Sequence, residues 1–446
     1  MADLLIKNGL VVTMDRDCRI IPDGTISVED GRIKSLKKGR ATGNKADEII
    51  DARGKIVMPG LVCSHTHLYG MLLRGAPLKI EPPTDFSQIL QRVWWPMDEA
   101  MGKEDAYASA VISCLEFLKT GTTLFADTFS GPNSITGVLD KIASAVEQSG
   151  IRGILAFEAT ERHSNAEGTK GMRENERFIK KMKKEKARRV TGMISLHASF
   201  TISDELIKWA RDLASRYKAP LTIHTSEGLA DLYHNYEKFG KRTVERLKEE
   251  GLLGPDVVLA HCVHVNDNEL EIIKKMGAKV AHNPMSNMLN AVGVAPVPKM
   301  LGMGIPVGLG NDGYIFDGFE NIRAAFLLHK LAGRDPRAIT PREVMEMATI
   351  RGAELYGLGN ELGSLEQGKL ADIIIIDPSI APTPVTPDSV LGHLVNTVDG
   401  DDVETTIVGG NVLMRERKVL SMDEGEVVSI SRKTAKKLWQ KLGAAR

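Results

Sequence analysis

Histidine and acidic residues end several short apolar segments of this chain. The first segment ends in the motif HTH at 65–67, and later ones end in His224, His261 and Asp312. Alternate residues of an extended strand point to the same side, so both imidazoles of the motif face one point. Two neutral imidazoles side by side suit a borderline metal such as Zn²⁺ or Fe²⁺. The joint occurrence of these residues at successive segment ends predicts a metal site.

The apolar segments that carry these residues alternate with helical stretches. Eight of them are strand candidates: 61–69, 122–129, 151–160, 192–200, 220–227, 257–264, 278–286 and 305–313. Eight strands alternating with helices over this length predict an α/β fold, a (β/α)₈ barrel, in which catalytic groups come from the C-terminal strand ends. An open doubly wound sheet is the alternative, but no glycine-rich phosphate motif follows any of the segments.

Both ends of the chain have a different pattern, with short alternating strands and turn residues. We expect the two ends, 1–57 and 367–422, to pair into one small β-sandwich domain. The barrel then occupies 58–366, and 423–446 forms a C-terminal helical extension.

Composition excludes several classes of protein. The 446 residues contain 58 Lys and Arg against 58 Asp and Glu, so the formal net charge is zero. This balance favours neither nucleic acid nor an anionic membrane as a partner. No apolar run approaches the ~20 residues that span a bilayer, and the N-terminus lacks a signal-peptide pattern. The four cysteines are scattered, so we expect a cytoplasmic protein without a disulfide framework.

Several longer motifs resemble the amidohydrolase superfamily, in its metal-dependent deaminase branch. They are MPGLVCSHTH, GTTLFAD, HTSE, AHCVH, HNPMSN, GLGNDG and GSLEQGKLADIIIID. Within that branch, SHTHLYGMLLRG and WWPMDEAM make the chain most similar to the SsnA-like aminohydrolases. It is less similar to methylthioadenosine/S-adenosylhomocysteine deaminases, guanine deaminases and triazine hydrolases. The resemblance implies the barrel-and-sandwich fold.

The resemblance also implies a ligand set for the metal. His65, His67, His224 and Asp312 would bind one divalent ion, most simply Zn²⁺, with Fe²⁺ as the alternative. Relatives with two metals carry a bridging lysine on the fourth strand. The segment 192–200 has no lysine, so a single ion is expected.

Catalytic roles follow from the same resemblance. Glu227 would be the proton shuttle, while His261 would polarise or deprotonate the water with help from Asp312. Asn311 is a departure, because Thr or Ser usually precedes the metal-binding aspartate. A bound metal lowers the pKa of its water to ~7, and a positioned proton donor typically adds ~10²–10⁴-fold in rate. The ligand pattern of cytidine deaminases is absent from the sequence.

Four further residues are candidates for contact with the substrate. His197 matches a position that contacts substrate in the methylthioadenosine deaminases. Trp94 offers an aromatic wall to a flat molecule, although a place in a helix core explains it equally well. Glu158 follows the third strand, where a surface salt bridge explains it equally well. Asn287 lies in HNPMSN after the seventh strand, where a structural role is the alternative to lining the pocket.

We therefore predict a hydrolase that deaminates an amino-substituted nitrogen heterocycle, purine-like or pteridine-like, and releases ammonia. Displacement of chloride or alkylamine from a triazine-like ring, or opening of a cyclic amide, uses the same water attack and stays open as an alternative. A non-catalytic scaffold is a remote one, because the ligands and the acid are all present. The expected partners are a small heterocyclic substrate and further copies of the chain, as a dimer or tetramer.

Overall fold

The computed structural model describes residues 2–39, 46–185, 189–379 and 381–443. The strands in chain order are β1 (Ala2–Val12), β2 (Ile20–Glu29), β3 (Arg32–Lys38), β4 (Ala46–Asp51), β5 (Ile56–Pro59), β6 (Leu61–Thr66), β7 (Thr122–Phe129), β8 (Arg152–Ala159), β9 (Val190–Gly192), β10 (Ile194–Ala198), β11 (Leu221–Thr225), β12 (Val257–His261), β13 (Lys279–His282), β14 (Val307–Leu309), β15 (Ile373–Ile376), β16 (Val403–Val408), β17 (Asn411–Arg415) and β18 (Lys418–Val419).

The helices separate most of the barrel strands. They are α1 (Phe86–Ile89), α2 (Trp95–Ala100), α3 (Lys103–Lys119), α4 (Val138–Ser149), α5 (Asn165–Lys184), α6 (Asp204–Tyr217), α7 (Leu229–Phe239), α8 (Thr243–Glu249), α9 (Asp267–Met276), α10 (Pro284–Leu289), α11 (Val297–Gly302), α12 (Gly318–Gly333), α13 (Pro341–Met347), α14 (Ile350–Leu355), α15 (Val390–Asn396) and α16 (Glu424–Lys441). Short 3₁₀ turns cover Leu68–Leu73, Ser199–Thr201 and Gly400–Asp402, and a π-helical turn covers Leu90–Trp94.

Eight parallel strands form a nearly closed barrel, and the predicted fold class is confirmed. Their order is β6, β7, β8, β10, β11, β12, β13 and β14. Every residue of β7 is buried, as expected for a parallel strand covered on both faces. Amphipathic helices supply the outer cover. For example, the Asn266 side chain caps α9 at the backbone N–H of Glu269, and the helix ends at Gly277 in the left-handed conformation.

The barrel closes between its first and last strands, at the predicted metal site. The backbone N–H of Asp312 donates to the carbonyl of His65 at 3.1 Å, and that of His67 donates to the carbonyl of Asp312 at 3.1 Å. Gly310 allows this approach, because a Cβ there would lie 2.8 Å from the His65 carbonyl oxygen. Strand closure therefore places three expected ligands side by side.

The second sheet joins both ends of the chain, in the order β18, β17, β16, β15, β5, β1, β2 and β3, with β4 beside β1. Strand β15 pairs antiparallel with β5 and brings Ile373 opposite Pro59. Arg152 at the start of β8 makes two hydrogen bonds, at 2.8 and 3.0 Å, to the buried carboxylate of Asp372 beside β15. This ion pair links the barrel to the second sheet. The exact domain boundaries stay a prediction.

The C-terminal helix α16 packs on α3 and on the 3₁₀ turn that follows β6. Its Trp439 indole N–H donates to the carbonyl of Leu72 at 2.7 Å, and the Lys119 ammonium contacts Glu424 at 2.8 Å. The last three residues of the predicted extension, 444–446, lie outside the described residues. Across the described part of the chain, no helix has the length and apolar character needed to cross a membrane.

We expect Trp439→Phe to lower the free energy of unfolding by roughly 1 kcal/mol, because the Leu72 carbonyl loses its donor. Urea titration followed by far-UV circular dichroism measures the change. Trp209→Phe is the matched control, since Trp209 is also half-buried and its indole N–H has no protein acceptor recorded in the described structure. Equal losses in both variants would contradict a specific role for the hydrogen bond.

Candidate metal centre and active site

The four predicted ligands meet at the C-terminal mouth of the barrel. One ligand atom from each of His65, His67, His224 and Asp312 lies within 4.8 Å of the others. The Nε2 atom of His67 is 3.0 Å from Asp312 Oδ1 and 3.1 Å from His224 Nε2, and His65 Nε2 is 3.6 Å from Asp312 Oδ1. The strand ends thus bring three ring nitrogens and one carboxylate oxygen to one point.

The hydrogen bonds behind two of these imidazoles assign their tautomers. Nδ1 of His67 faces the Thr128 carbonyl at 2.8 Å, and Nδ1 of His224 faces the His197 carbonyl at 2.8 Å. A carbonyl only accepts, so each Nδ1 carries the proton and each Nε2 presents a lone pair. The two lone pairs face each other at 3.1 Å.

A cation between these lone pairs would turn their repulsion into coordination. His65 Nε2 points at the same place, is buried, and has no hydrogen-bond partner in the described structure. Three imidazole nitrogens and one carboxylate form a donor set that a divalent metal of the zinc type prefers. The residues present therefore fit the expected ion.

Positive φ angles occur at three of the strand ends that build this site. They are 50° at Ser226, 72° at His261 and 59° at Asp312. Non-glycine residues rarely adopt this region, and strain of this kind clusters at functional sites. Each strand therefore turns abruptly at a functional residue or directly beside one.

Glu227 and His261 lie next to the metal ligands. Glu227 Oε2 is 3.6 Å from His261 Nε2, and one ligand atom each of Glu227, His261 and Asp312 forms a second close group. Burial raises the pKa of Glu227 well above its usual range, and the Asp312 carboxylate adds to the effect. The raised pKa favours the protonated carboxyl, and a protonated carboxyl can donate to a substrate, as a proton shuttle must.

A cavity opens onto this centre and has aromatic walls. Its lining residues are His67, Tyr69, Phe86, Leu90, Trp94, Trp95, Asp98, Glu158, His197, Ala198, Phe200, His224, Glu227, Gly228, Ala230, Asp231, Asn290 and Asp312. Trp94 ends the π-helical turn, and its ring centroid lies 6.3 Å from that of His67. Trp94 is thus a wall of the cavity beside a ligand.

Glu158 and His197 form a polar part of the cavity wall. Glu158 Oε1 lies 3.3 Å from His224 Nδ1, and His197 Nδ1 lies 2.7 Å from the Thr201 hydroxyl. Burial raises the pKa of Glu158 to about 8 and lowers the pKa of His197 to about 3. Both side chains therefore offer uncharged hydrogen-bonding groups at neutral pH.

Two asparagines lie behind the site. Asn287, expected at the substrate, is fully buried outside the cavity lining, and its Oδ1 accepts from His261 Nδ1 at 2.8 Å. Asn311 Oδ1 accepts from the Cys63 thiol at 3.3 Å, and its backbone N–H donates to the His65 carbonyl. Asn311 thus supports the barrel closure.

Sequence reasoning missed Asp98 as a cavity residue. Its carboxylate pairs with Arg162 at 2.9 Å, accepts from Ser130, and is almost completely buried. A signal was available, because Asp98 follows Trp94 by four residues and such positions share one helix face. Asp231 and Asn290 also line the cavity and were missed.

Comparisons with known proteins agree with this geometry. The model of the amidohydrolase family matches residues 56–413. The chain belongs to the amidohydrolase family. It is 40% identical to a 5'-deoxyadenosine deaminase of Methanosarcina acetivorans over 98% of this chain and 99% of that protein. It is 33% identical to a 5-methylthioadenosine/S-adenosylhomocysteine deaminase of Syntrophobacter fumaroxidans, over 96% of each.

A solved structure shows the same fold. An adenosine deaminase from Xanthomonas campestris with bound zinc superposes with a TM-score of 0.88, at 23% identity and 98% coverage of both chains. The prediction of a hydrolase that acts on carbon–nitrogen bonds and deaminates an amino-substituted nitrogen heterocycle is confirmed. This amidohydrolase uses a divalent metal and acts on a small heterocyclic molecule.

We expect His224→Ala to lower metal affinity by more than the roughly 10–100-fold that loss of an outer hydrogen-bond partner costs. Metal analysis after dialysis measures the bound equivalents. His163→Ala is the control, because His163 is half-exposed and pairs with Glu99 and Glu167. Full metal retention by His224→Ala would remove His224 from the ligand set.

Proposed function

We propose that this amidohydrolase deaminates a neutral adenosine-type nucleoside whose 5' position carries a small uncharged group. The proposal rests above all on the lining of the cavity. Among the described residues that line it, none is lysine or arginine, while eight carry aromatic or imidazole rings. A flat purine suits such walls, and no cation is available to pair with a carboxylate or phosphate on the substrate. Relatives named as 5'-deoxyadenosine deaminases support the same class.

Arg162 is a cation that contacts the cavity lining. Its guanidinium pairs with the buried Asp98 carboxylate and lies 5.0 Å from the centroid of the Trp95 ring. Recruiting Arg162 to an anionic substrate would leave Asp98 buried without its partner, which is costly. The ion pair thus favours an uncharged substrate.

The chain's own residues account for the proton transfers. His261, with help from Asp312, accepts the proton of the attacking water at Nε2 as the water oxygen bonds to the amidine carbon. Protonated Glu227 gives its proton to the ring nitrogen, and His261 restores it across the 3.6 Å gap. Glu227 then protonates the amine, which leaves as ammonia, and regains a proton as the hydroxyl becomes the carbonyl. The bound metal would supply Lewis acidity and lower the pKa of the water.

We propose one Zn²⁺ held by His65, His67, His224 and Asp312. The donor set suits zinc, and β10 carries no lysine that could bridge a second ion. Fe²⁺ shares these ligand preferences and is the competing ion. Metal analysis of protein expressed in minimal medium with each metal, together with activity, separates the two.

We expect 5'-deoxyadenosine and adenosine to exceed adenosine 5'-monophosphate and S-adenosylhomocysteine in kcat/KM by at least roughly 100-fold, because an unpaired buried charge costs several kcal/mol. Ammonia release by the metal-loaded protein, with a chelated control, measures all four. Equal turnover of the monophosphate would contradict the neutral class. If the metal-loaded protein released no ammonia from any adenosine derivative, the proposal would move to another heterocycle or leaving group.

We expect Glu227→Gln to lower turnover roughly 10²–10⁴-fold, because the amide cannot deliver a proton to the ring nitrogen. Metal content should stay unchanged, since Glu227 is outside the proposed ligand set. Ammonia release and metal analysis on one preparation test both points. Full activity in this variant would remove Glu227 from the proton path.

We further propose a cytoplasmic homo-oligomer, a dimer or tetramer. The four cysteines are all free and buried, which suits a reducing compartment. Large apolar side chains are exposed on neighbouring turns of α7, including Tyr233 and Tyr236. Exposed apolar patches often mark contacts between subunits. Analytical ultracentrifugation gives the assembly state.

A further inference from the structure

The side chain of Asn287 contacts His261 on the side away from Glu227. Asn287 lies on α10, directly after β13, and both residues are fully buried. Its Oδ1 is 2.8 Å from His261 Nδ1, whereas Glu227 Oε2 is 3.6 Å from His261 Nε2. Asn287 does not line the cavity, and its side chain connects to the site through the hydrogen bond with His261.

This contact assigns one tautomer to His261. The amide oxygen only accepts, so Nδ1 carries the proton and Nε2 presents its lone pair towards Glu227. A second contact supports the assignment, because Nδ2 of Asn283 lies 3.4 Å from His261 Nε2 and offers a donor to the same lone pair. The opposite tautomer would place an Nε2 proton against this amide nitrogen.

We propose that Asn287 is a positioning residue that keeps His261 in the tautomer able to accept a proton at Nε2. The role in turnover rests on the proposed deamination. When Nε2 takes the proton of the attacking water, His261 becomes an imidazolium. The Asn287 oxygen then holds the Nδ1 proton in a charge-assisted hydrogen bond, while the Nε2 proton faces Glu227. An apolar side chain at 287 would leave the Nδ1 proton without an acceptor.

The tautomer is measured without any substrate. Zinc-loaded protein labelled with ¹⁵N-histidine is examined by NMR, and the His261 signals are assigned as those lost in His261→Gln. We expect a protonated Nδ1 and an unprotonated Nε2 in the wild-type protein. An Nε2 proton in the wild-type spectrum would overturn the proposal, whether or not the proposed substrate is turned over.

Two substitutions at 287 then test the consequence for catalysis. Asn287→Leu removes the acceptor, and we expect kcat to fall roughly 10–100-fold while KM stays within about threefold. Asn287→Asp keeps an acceptor. We expect this variant to keep the His261 tautomer, and we expect its kcat to stay within about tenfold of wild type. If the native amide were turned, with its NH₂ donating to Nδ1, the aspartate would instead reverse the tautomer and lose activity.

Asn175→Leu is the matched control. Asn175 is also a fully buried asparagine, but its side chain bonds to the backbone of Phe157 and Ser195 instead of to His261. We expect this variant to lose thermal stability without a change in kcat or in the His261 spectrum. An unchanged kcat in Asn287→Leu, or a rise in KM alone, would overturn the positioning role.

Discussion

The backbone pairing of Asp312 with the 65–67 motif is the constraint on which the active site depends. It closes the barrel and sets three metal ligands beside one another in the same set of hydrogen bonds. The metal centre is therefore a consequence of strand closure. Gly310 belongs to this constraint, because any side chain there would meet the His65 backbone. Loss of closure would separate the ligands before it exposed much of the core.

Electrostatic demands shape the surroundings of the centre. Carbonyl groups of neighbouring strands hold the Nδ1 protons of His67 and His224, so both lone pairs face inward. Without a metal, a proton can take its place, because the Asp312 carboxylate outweighs the effect of burial and raises the pKa of His67 to about 10. Burial also keeps Glu158 uncharged at neutral pH, so the cavity presents hydrogen bonds in preference to charge. The same low polarity strengthens each interaction with a bound substrate.

Much of this was predictable from sequence, for an identifiable reason. Parallel strands buried on both faces read as apolar runs, so the segment 122–129 coincides with β7. The predicted strand 257–264 is longer than the observed β12. The strand ends at His261 because the positive φ angle there turns the chain. Contacts across the fold, such as Asn287 with His261 or Asp98 with Arg162, leave no local pattern. They depend on how close separate elements lie in the fold, and the hydrophobic periodicity of the sequence does not give those distances.

The segment from Leu68 to Ala100 contributes to the cavity without being part of the barrel strands. It carries Trp94 and Asp98 in the cavity wall, yet it lies outside the barrel and is held by α16 through Trp439. Part of the cavity wall thus belongs to a segment supported separately from the strand ends, whereas Glu158 and His197 lie on the barrel strands themselves. Substitutions in the segment 68–100 or in α16 can therefore change which heterocycle is accepted, while the metal ligands stay intact.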